Sequence, residues 1–595
     1  MYKKFIVVLF FFMVSIGFSQ SSQLAHNYFY KGEYDKALEL FKELYGKNEV
    51  RQDYFKKLLS CYQLTEKFDK ANALLKSHRE KFPTQVNVII ELGYNLQLQG
   101  DKESAMSYYK KALQVLEEKP FSGYLIGRTF QENHLLEEAL KAYKRAMEID
   151  PKLNYDSYIA SIYAEKAEIE NMFDSYLNMI DKNENAYGTV QRYVGKFITD
   201  DSGEKNNILF RKLILKRLQK NPKNSWNKLL SWLYAQQKDY DKALIQEIAL
   251  YKREAKNLIR LESLGAIALA NKDYKTAKES FNFILEHTKD TNVILEAHIN
   301  LLEIAMVTAR STKELEVLEV QFEELFTRYG KGKATIDLQV FYADFLTFKK
   351  NDPEKAIQIL KTAMEKTESD AQYGFIKLKL ADVLVYTNKF NEALINYSQI
   401  QTSLKNSELA QMARFKVAQT SYFKSDFKWA VTQLKILKKS TSQLIANDAV
   451  NLYLLISDNI IGDTIHDALK TYAKADLLAF QNKNKQAIDT LAIVLEKFKG
   501  RGIEDEALFK QASLFTKLKK YEESEQNYLK IIQLNKEGIL VDDAYFLLGE
   551  LYRNKLYNIE KAKEMYQKII FDFPSSIYLV DARKYYRKLR GDKIN

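Results

Sequence analysis

The residues best suited to acid–base or metal chemistry, the histidines, are few and scattered along the chain. Six histidines occur among 595 residues. No two of them stand four residues apart, and the motif His-Glu-x-x-His, which places two zinc ligands on one helix face, is absent. We therefore expect no metal site and assign each histidine to packing or to the surface. The histidines are His26, His78, His134, His287, His298 and His466.

Two further features could carry chemistry, a lone cysteine and a stretch rich in glycine and lysine. No base with an orienting partner can be named for Cys61, so we interpret it as a core thiol. Residues 330–335, Gly-Lys-Gly-Lys-Ala-Thr, lack the earlier glycine and the preceding strand of a phosphate loop and are interpreted as a turn. No spacing singles out a catalytic pair of carboxylates. The sequence predicts no catalytic residue and no cofactor, and an enzyme ranks third among the functions considered.

The chain instead carries a repeat. Four alanines, Ala37, Ala71, Ala105 and Ala139, follow one another at a constant interval. Each is followed four positions later by an apolar or aromatic residue, and twelve positions before each stands a second, mostly small or apolar residue. This spacing predicts antiparallel helix pairs, in which small side chains let the backbones approach and large ones fill the space beside the crossing.

The composition agrees with an all-α fold. With 46% hydrophobic residues the chain must fold, and its 6 prolines and 20 glycines are few for a turn-rich β protein. A single hairpin buries too little apolar surface to offset the entropy of ordering it. Neighbouring hairpins must supply the remaining burial, so we predict a solenoid.

The fourth unit resembles the tetratricopeptide repeat family. The matching residues are Ile126, Gly127, Phe130, Ala139, Tyr143, Ala146 and Pro151. The resemblance implies a right-handed superhelix of helical hairpins whose concave groove, lined mainly by the first helix of each unit, binds a peptide or protein. Beyond position 337 the period lengthens slightly. Ala356, Ala393 and Ala430 follow one another at equal intervals that are longer than those between the first four alanines. The last units resemble the longer repeats of envelope proteins, such as outer-membrane-protein assembly lipoproteins and cell-envelope coordination factors.

Variation in the quality of the repeat predicts seven segments. They are a signal peptide (1–20), an N-terminal repeat array (21–180), a degenerate helical unit with an inserted loop (181–223), further repeat units (224–292), an irregular helical pair or bend (293–336), a C-terminal array of longer period (337–580) and a basic terminal helix or tail (581–595).

Two rows of residues on the first helices are predicted to face the groove. Three glutamines, which recur at the interval of the alanines, lie in the second row. Their amides both donate and accept, and could pair with the backbone of an extended peptide, although glutamine is also simply a soluble helix former. Tyrosines would add rigid anchors. The predicted groove residues are His26, Ser60, Tyr94 and Arg128 in one row, Phe29, Gln63, Gln97 and Gln131 in the other, and Lys56 and Tyr124 beside them.

The N-terminus has the pattern of a secretory signal. Lys3 and Lys4 precede a mostly apolar run, Phe5 to Phe18, and small or polar residues follow. This run is shorter than the ~20 residues of a membrane-spanning helix, and no later segment offers a span. We predict cleavage near residue 19 or 20, with retention as an anchor as the alternative. The expected location is a bacterial periplasm or cell envelope, or the exterior.

The charge distribution and the aromatic content limit the classes of binding partner that we expect. The net charge of +12 is spread along helices in which Lys and Glu alternate, so nucleic acid is not a predicted partner. The basic last fifteen residues predict either a solvated terminal helix or a weak contact with an anionic surface. The leading hypothesis is a non-catalytic scaffold or adaptor that binds a protein or peptide. The alternative is a glycan or cell-wall (peptidoglycan) binding module, since 39 tyrosines and 34 phenylalanines could stack on sugars.

Overall fold

The computed structural model describes residues 21–254, 257–437, 443–460, 466–534, 536 and 538–592. Within these ranges the regular structure is helical and contains no strand. The predicted signal peptide and Lys593 of the basic tail lie outside the described residues. Among the helices of the described ranges, none combines the length and the apolar character needed to cross a bilayer.

The helices form two compact units. Of the described residues, the first holds 21–200 and 205–233, and the second holds 201–204 and those from 234 onward. The finer division into seven segments stays a prediction. The helices of the first unit are α1 (21–30), α2 (Tyr34–Lys47), α3 (Gln52–Leu64), α4 (Phe68–Lys81), α5 (Asn87–Leu98), α6 (Lys102–Glu118), α7 (Gly123–Glu132), α8 (Leu136–Ile149), α9 (Asp156–Glu165), α10 (Ile169–Lys182), α11 (Tyr187–Val194), α12 (Lys205–Lys220) and α13 (Asn224–Gln236), whose last three residues fall in the second unit.

The second unit continues the same pattern of helices. They are α14 (Tyr240–Glu254), α15 (Ile259–Ala270), α16 (Tyr274–His287), α17 (Thr291–Thr308), α18 (Thr312–Tyr329), α19 (Ile336–Phe345), α20 (Pro353–Met364), α21 (Asp370–Tyr386), α22 (Phe390–Ser403), α23 (Glu408–Phe423), α24 (Phe427–Leu437), α25 (Gln443–Ile460), α26 (Asp467–Phe480), α27 (Asn484–Lys497), α28 (Ile503–Lys517), α29 (Tyr521–Leu534), α30 (Val541–Asn554), α31 (Ile559–Asp572) and α32 (Leu579–Arg590).

The turns inside the first four hairpins share one backbone geometry. Gly32, Glu66, Gly100 and His134, each one repeat after the last, all have positive φ, between 55° and 91°. The amide of the next residue donates to the carbonyl five positions earlier, as in the Schellman motif. Glycine therefore marks only two of these four turns, while Glu66 and His134 adopt a region that costs such residues about 1 kcal/mol.

Several hairpins close where a small residue of the first helix meets a ring of the second. A Cβ added to Gly127 would lie 2.5 Å from two carbons of the Tyr143 ring, and one on Gly93 would lie 2.7 Å from the Tyr109 ring. The repeated alanines, including Ala139 on the second helix, are buried at these crossings. The predicted all-α solenoid of antiparallel helix pairs is confirmed.

Stacking of hairpins makes the cores continuous. In the second unit one cluster of buried apolar side chains runs from Leu295 to Leu514 through consecutive hairpins. No hairpin in this stretch keeps a core of its own, as the burial argument requires. Pro353 occupies the first turn of α20 behind the N-cap Asp352, whose carboxylate accepts from the Lys355 amide, in agreement with the sequence.

One helix interrupts the pairing. Helix α25 lies between α24 and α26 without a partner of its own and buries Ile445, Ala449 and Ile456. It accounts for the long interval between Ala430 and Ala487, and the sequence analysis did not predict it.

The close approach at Gly127 can be tested by adding one methyl group. Because Tyr143 is fully buried and cannot retreat, we expect Gly127→Ala to lower the free energy of unfolding by about 2 kcal/mol, despite the better helix propensity of alanine. Urea unfolding followed by far-UV circular dichroism measures the change.

Gly46, in α2, is the matched control for this substitution. No atom lies within 4 Å of a Cβ added there, so Gly46→Ala should be neutral or stabilising by up to about 1 kcal/mol. Equal effects of the two substitutions would contradict the assigned role of Gly127.

Candidate functional site

Contacts between hairpins identify the inner face of the first unit. Lys56 on α3 and Glu132 on α7 belong to hairpins two steps apart, yet Lys56 Nζ and Glu132 Oε2 are separated by 2.7 Å. Side chains of non-neighbouring hairpins can meet only on the side toward which the stack curves, because they diverge on the other side. We call the surface of α3, α5 and α7 around these residues the inner face.

Glu132 is the centre of a charged network on the inner face. Arg128 Nε donates to Glu132 Oε1 over 2.8 Å, and Arg128 Nη1 donates to the hydroxyl of Tyr124 over 2.7 Å. Burial opposes the charged form of Glu132, but the hydrogen bonds from Lys56 and Arg128 outweigh it and lower its pKa. Two cations against one carboxylate leave this network positively charged.

Glu91, on α5, lies beside the network. It accepts a hydrogen bond from Asn133 Nδ2 over 3.2 Å. Burial raises the pKa of Glu91 to about 7, while this hydrogen bond and the charge of Lys56 act in the opposite direction. Burial and the proximity of Glu91 also raise the pKa of Tyr94, one turn further along α5. The charge of the inner face therefore changes near neutral pH.

At the N-terminal end of the unit, the predicted groove residues contact other side chains of the chain. His26 Nε2 lies 3.0 Å from Asp53 Oδ2, and His26 Nδ1 lies 2.8 Å from the carbonyl of Ser22. Lys57 Nζ sits 3.9 Å from the ring centroid of Phe29. His26 and Phe29 therefore help to hold the first hairpin to the second.

The three predicted glutamines have three different environments. Gln97 accepts a hydrogen bond from the hydroxyl of Tyr109 over 3.1 Å, and Gln131 Nε2 donates to Glu165 over 2.7 Å. Gln63 Nε2 is buried without a hydrogen-bond partner in the described residues. The structure does not bring the amides together as equivalent groups, and their pairing with a peptide stays a prediction.

A short row of tyrosines continues the inner face beyond Tyr124. Tyr158 on α9 and Tyr193 on α11 follow it at intervals of about one repeat, and both are exposed. The rings of Tyr124 and Tyr158 are 5.3 Å apart, while Tyr158 stacks on Tyr143 and Tyr193 stacks on Tyr176. Buried rings thus support the exposed ones and keep them rigid.

The structure brings four predicted residues into one region, Lys56, Tyr94, Tyr124 and Arg128. Ser60 does not join them, because its hydroxyl donates to the carbonyl of Lys56 within α3. The sequence analysis missed three residues that complete the region, Glu91, Glu132 and Asn133. The only local signal for Glu132 was its position four residues after Arg128, which favours an ion pair on a helix.

The second unit carries a different arrangement between its first helices. Three ion pairs join successive first helices or their neighbours, at N–O distances between 2.6 and 3.1 Å. In each pair the lysine follows the aspartate by about one repeat along the chain. The pairs are Asp344 with Lys379, Asp382 with Lys416 and Asp476 with Lys510.

Part of the inner side of the second unit is closed by the chain itself. Asn482 Nδ2 donates to the carbonyl of Phe348 over 2.9 Å, although 134 residues separate them, and Gln481 donates to the carbonyl of Tyr386 over 2.9 Å. The rings of Phe348 and Phe480 meet edge to face at 5.6 Å. At this point the inner side offers no open groove.

Two features of the described residues bear on reactive chemistry, groups of possible metal ligands and the lone cysteine. No three His, Cys, Asp or Glu residues of the described ranges come together in a way that could hold a metal ion. Cys61 is fully buried, and burial raises the pKa of its thiol to about 11, which disfavours the thiolate.

Comparison with known proteins finds repeats of one family in four segments. Profiles described as tetratricopeptide repeat match residues 86–115, 124–153, 505–537 and 543–576. The first two segments contain α5, α7 and α8, and thus most of the inner-face network. No curated protein matches the chain.

Three solved structures align with nearly the whole chain, but with low sequence identity and low TM-scores. The structure of the APC/C hetero-tetramer Cut9-Hcn1 is 13% identical, covers 95% of this chain and 95% of its own, and has a TM-score of 0.25. Yeast Tom70 is 15% identical, with 93% and 99% covered and a TM-score of 0.26. Naa15/Naa10 bound to HypK-THB is 12% identical, with 91% and 97% covered and a TM-score of 0.27. None of the three bears on the function of this chain.

The raised pKa of Glu91 predicts a pH dependence of stability. Since the folded pKa of about 7 exceeds the ordinary value of 4.5, the folded state holds the proton more tightly, and stability falls as pH rises from about 4.5 to about 7. Glu91→Gln keeps the size and the acceptor for Asn133 but cannot ionise. We expect the variant to be more stable than the natural protein at about pH 8, with the difference vanishing near pH 4.5.

Urea midpoints measured at several pH values test this expectation. Glu103→Gln, at an exposed position on α6, is the control and should leave the pH profile unchanged. Parallel profiles for the Glu91→Gln variant and the natural protein would contradict the assignment.

Proposed function

We propose that this protein is a non-catalytic scaffold that binds a protein or peptide on the inner face of its first unit. The observation that carries the proposal is the network of Lys56, Tyr124, Arg128 and Glu132, which joins side chains of two non-neighbouring hairpins on one surface. Tyrosine and arginine dominate binding energy at protein interfaces. Solenoids of helical repeats present extended surfaces of this kind to protein partners.

The charge of the network favours an acidic segment in the partner. Lys56 and Arg128 together exceed the charge of Glu132, and protonation of Glu91 below about pH 7 removes a further negative charge. An acidic side chain or carboxyl terminus of a peptide would replace part of the internal pairing. Binding should then weaken as salt is added and as pH rises through about 7.

For the location we propose export to a bacterial periplasm, cell envelope or exterior. The support is the sequence of residues 1–20, in which two lysines precede a short apolar run. Fractionation of cells that produce the full chain, with Lys3→Glu and Lys4→Glu as an export-impaired variant, tests this part separately.

A glycan or cell-wall module remains the second candidate because Tyr158, beside Tyr124, and Tyr193, about one repeat further along the chain, both expose ring surface. Aromatic faces of this kind can stack on sugar rings. Retention on peptidoglycan that is lost on Tyr158→Ala and Tyr193→Ala, with no protein captured, would favour this candidate over the scaffold.

Photocrosslinking in the producing cell tests the scaffold proposal. A photoreactive phenylalanine analogue at position 94 or 124 should capture a defined protein, because both positions lie on the inner face. The same analogue at Met106, an exposed position on α6, is the control. The combined Lys56→Ala and Arg128→Ala substitutions should lower the captured amount at least about tenfold.

The matched charge control is Lys110→Ala with Lys141→Ala, on the second helices α6 and α8. It removes two cations without touching the inner face and should leave capture intact. Equal capture from positions 94 and 106, or equal loss in both double variants, would contradict the proposal.

A further inference from the structure

Large apolar side chains protrude from two consecutive connections near the C-terminus. Ile539 precedes α30 and Ile577 precedes α32, and they are 81% and 83% exposed. Phe571, in the last turn of α31, is 71% exposed, and Leu534, the last residue of α29, is 49% exposed. Equivalent positions of two successive hairpins therefore both expose apolar surface.

Contacts place the two connections side by side. Tyr578, next to Ile577, donates its hydroxyl to Asp543 Oδ1 over 2.8 Å and stacks on Phe546 at 4.2 Å between ring centroids. Both partners belong to α30, whose first turn directly follows Ile539. The connection before α32 thus lies against the start of α30. We call Leu534, Ile539, Phe571, Ile577 and Val580 the apolar edge.

Helix α32 adds positive charge beside the apolar edge. Ala582 is fully buried, so the opposite side of α32 faces outward. At 3.6 residues per turn, Val580, Lys584 and Arg587 lie within about 40° of the direction opposite to Ala582 around the helix axis. Val580 is 73% exposed. Residues 579–592 contain five cations and two acids, a net charge of +3. The outward face of this helix is therefore apolar at its start and cationic along its length.

We propose that the apolar edge and the outward face of α32 dock on an anionic lipid bilayer. Separate aliphatic and aromatic side chains at the tips of connections can enter the headgroup region, while the cations are attracted to anionic headgroups. This proposal does not depend on the partner of the inner face.

Charge argues against a second copy of this chain as the occupant. In a two-fold dimer the same patch would face itself and bring together two surfaces of net charge +3. Nucleic acid would satisfy the cations but would leave Ile539, Phe571 and Ile577 in water.

Vesicle binding by the full chain tests the cationic part. We expect cosedimentation with vesicles of phosphatidylcholine in which about a third of the lipid is phosphatidylglycerol, and little with phosphatidylcholine alone. Replacing Arg583, Lys584 and Arg587 by Gln should weaken binding about a hundredfold, at about fivefold per cation. The control replaces Lys275, Lys278 and Lys289, exposed cations of the same unit, by Gln and should change binding little.

Insertion of the apolar edge needs a separate measurement. Cys61 is fully buried, so an environment-sensitive fluorophore can be attached at Ile577→Cys, with Ile395→Cys, another exposed isoleucine, as the control. We expect a blue shift with anionic vesicles only at position 577. The double variant Ile539→Ser, Ile577→Ser should bind these vesicles several-fold more weakly than the natural protein.

Three results would overturn the proposal. The first is equal binding to neutral and anionic vesicles, and the second is equal loss in the two triple variants. The third is a concentration-dependent dimer that Ile539→Ser and Ile577→Ser dissociate while vesicle binding is unchanged, which would assign the edge to a second copy.

Discussion

The fold depends on the close approach of two helices within each hairpin, and in many hairpins a small residue at the crossing permits it. Gly127 under Tyr143, Gly265 under Phe281 and Gly549 under a tyrosine repeat the same contact, in which a ring covers the place of a missing Cβ. The ring fills the crossing, but it also presents apolar surface to the next hairpin. Stacking then becomes the only way to bury the remainder, so the constraint that closes one hairpin also creates the array.

Curvature of the stack, rather than any single hairpin, produces the candidate site. Lys56 and Glu132 are 76 residues apart, and each alone is an exposed charge on a helix. Curving the array brings them within hydrogen-bond distance above α5 and crowds Glu91 until its carboxyl holds a proton near neutral pH. The site is therefore sensitive to the spacing between hairpins, and substitutions at the crossings should change it from a distance.

The sequence predicts the hairpins well because their code is local. The positions of Ala139 and Tyr143 can be predicted from the repeat spacing, and that of Pro353 from its backbone chemistry. The Lys56–Glu132 contact could not be predicted, since curvature sums small rotations that no motif encodes. Helix α25 was not predicted for a different reason. An unpaired helix has no repeat partner whose spacing would indicate its position in the sequence. The turn at His134 shows a third limit of prediction from the sequence. A glycine at this position would have indicated a positive φ, whereas the histidine adopts the same geometry without indicating it.

The two units use their charged residues in opposite ways. In the first unit, the ion pairs of the inner face are exposed enough for a partner to exchange with them. In the second unit, burial raises the pKa of Asp344 despite Lys379, so this pair gains less from attraction than its distance suggests. Removing either the aspartate or the lysine would still leave the other residue as a buried charge, which only its own counterpart on the next hairpin can neutralise. We therefore interpret the Asp–Lys pairs as contacts that fix which residues of successive hairpins face each other, since a slipped stack would strand every member.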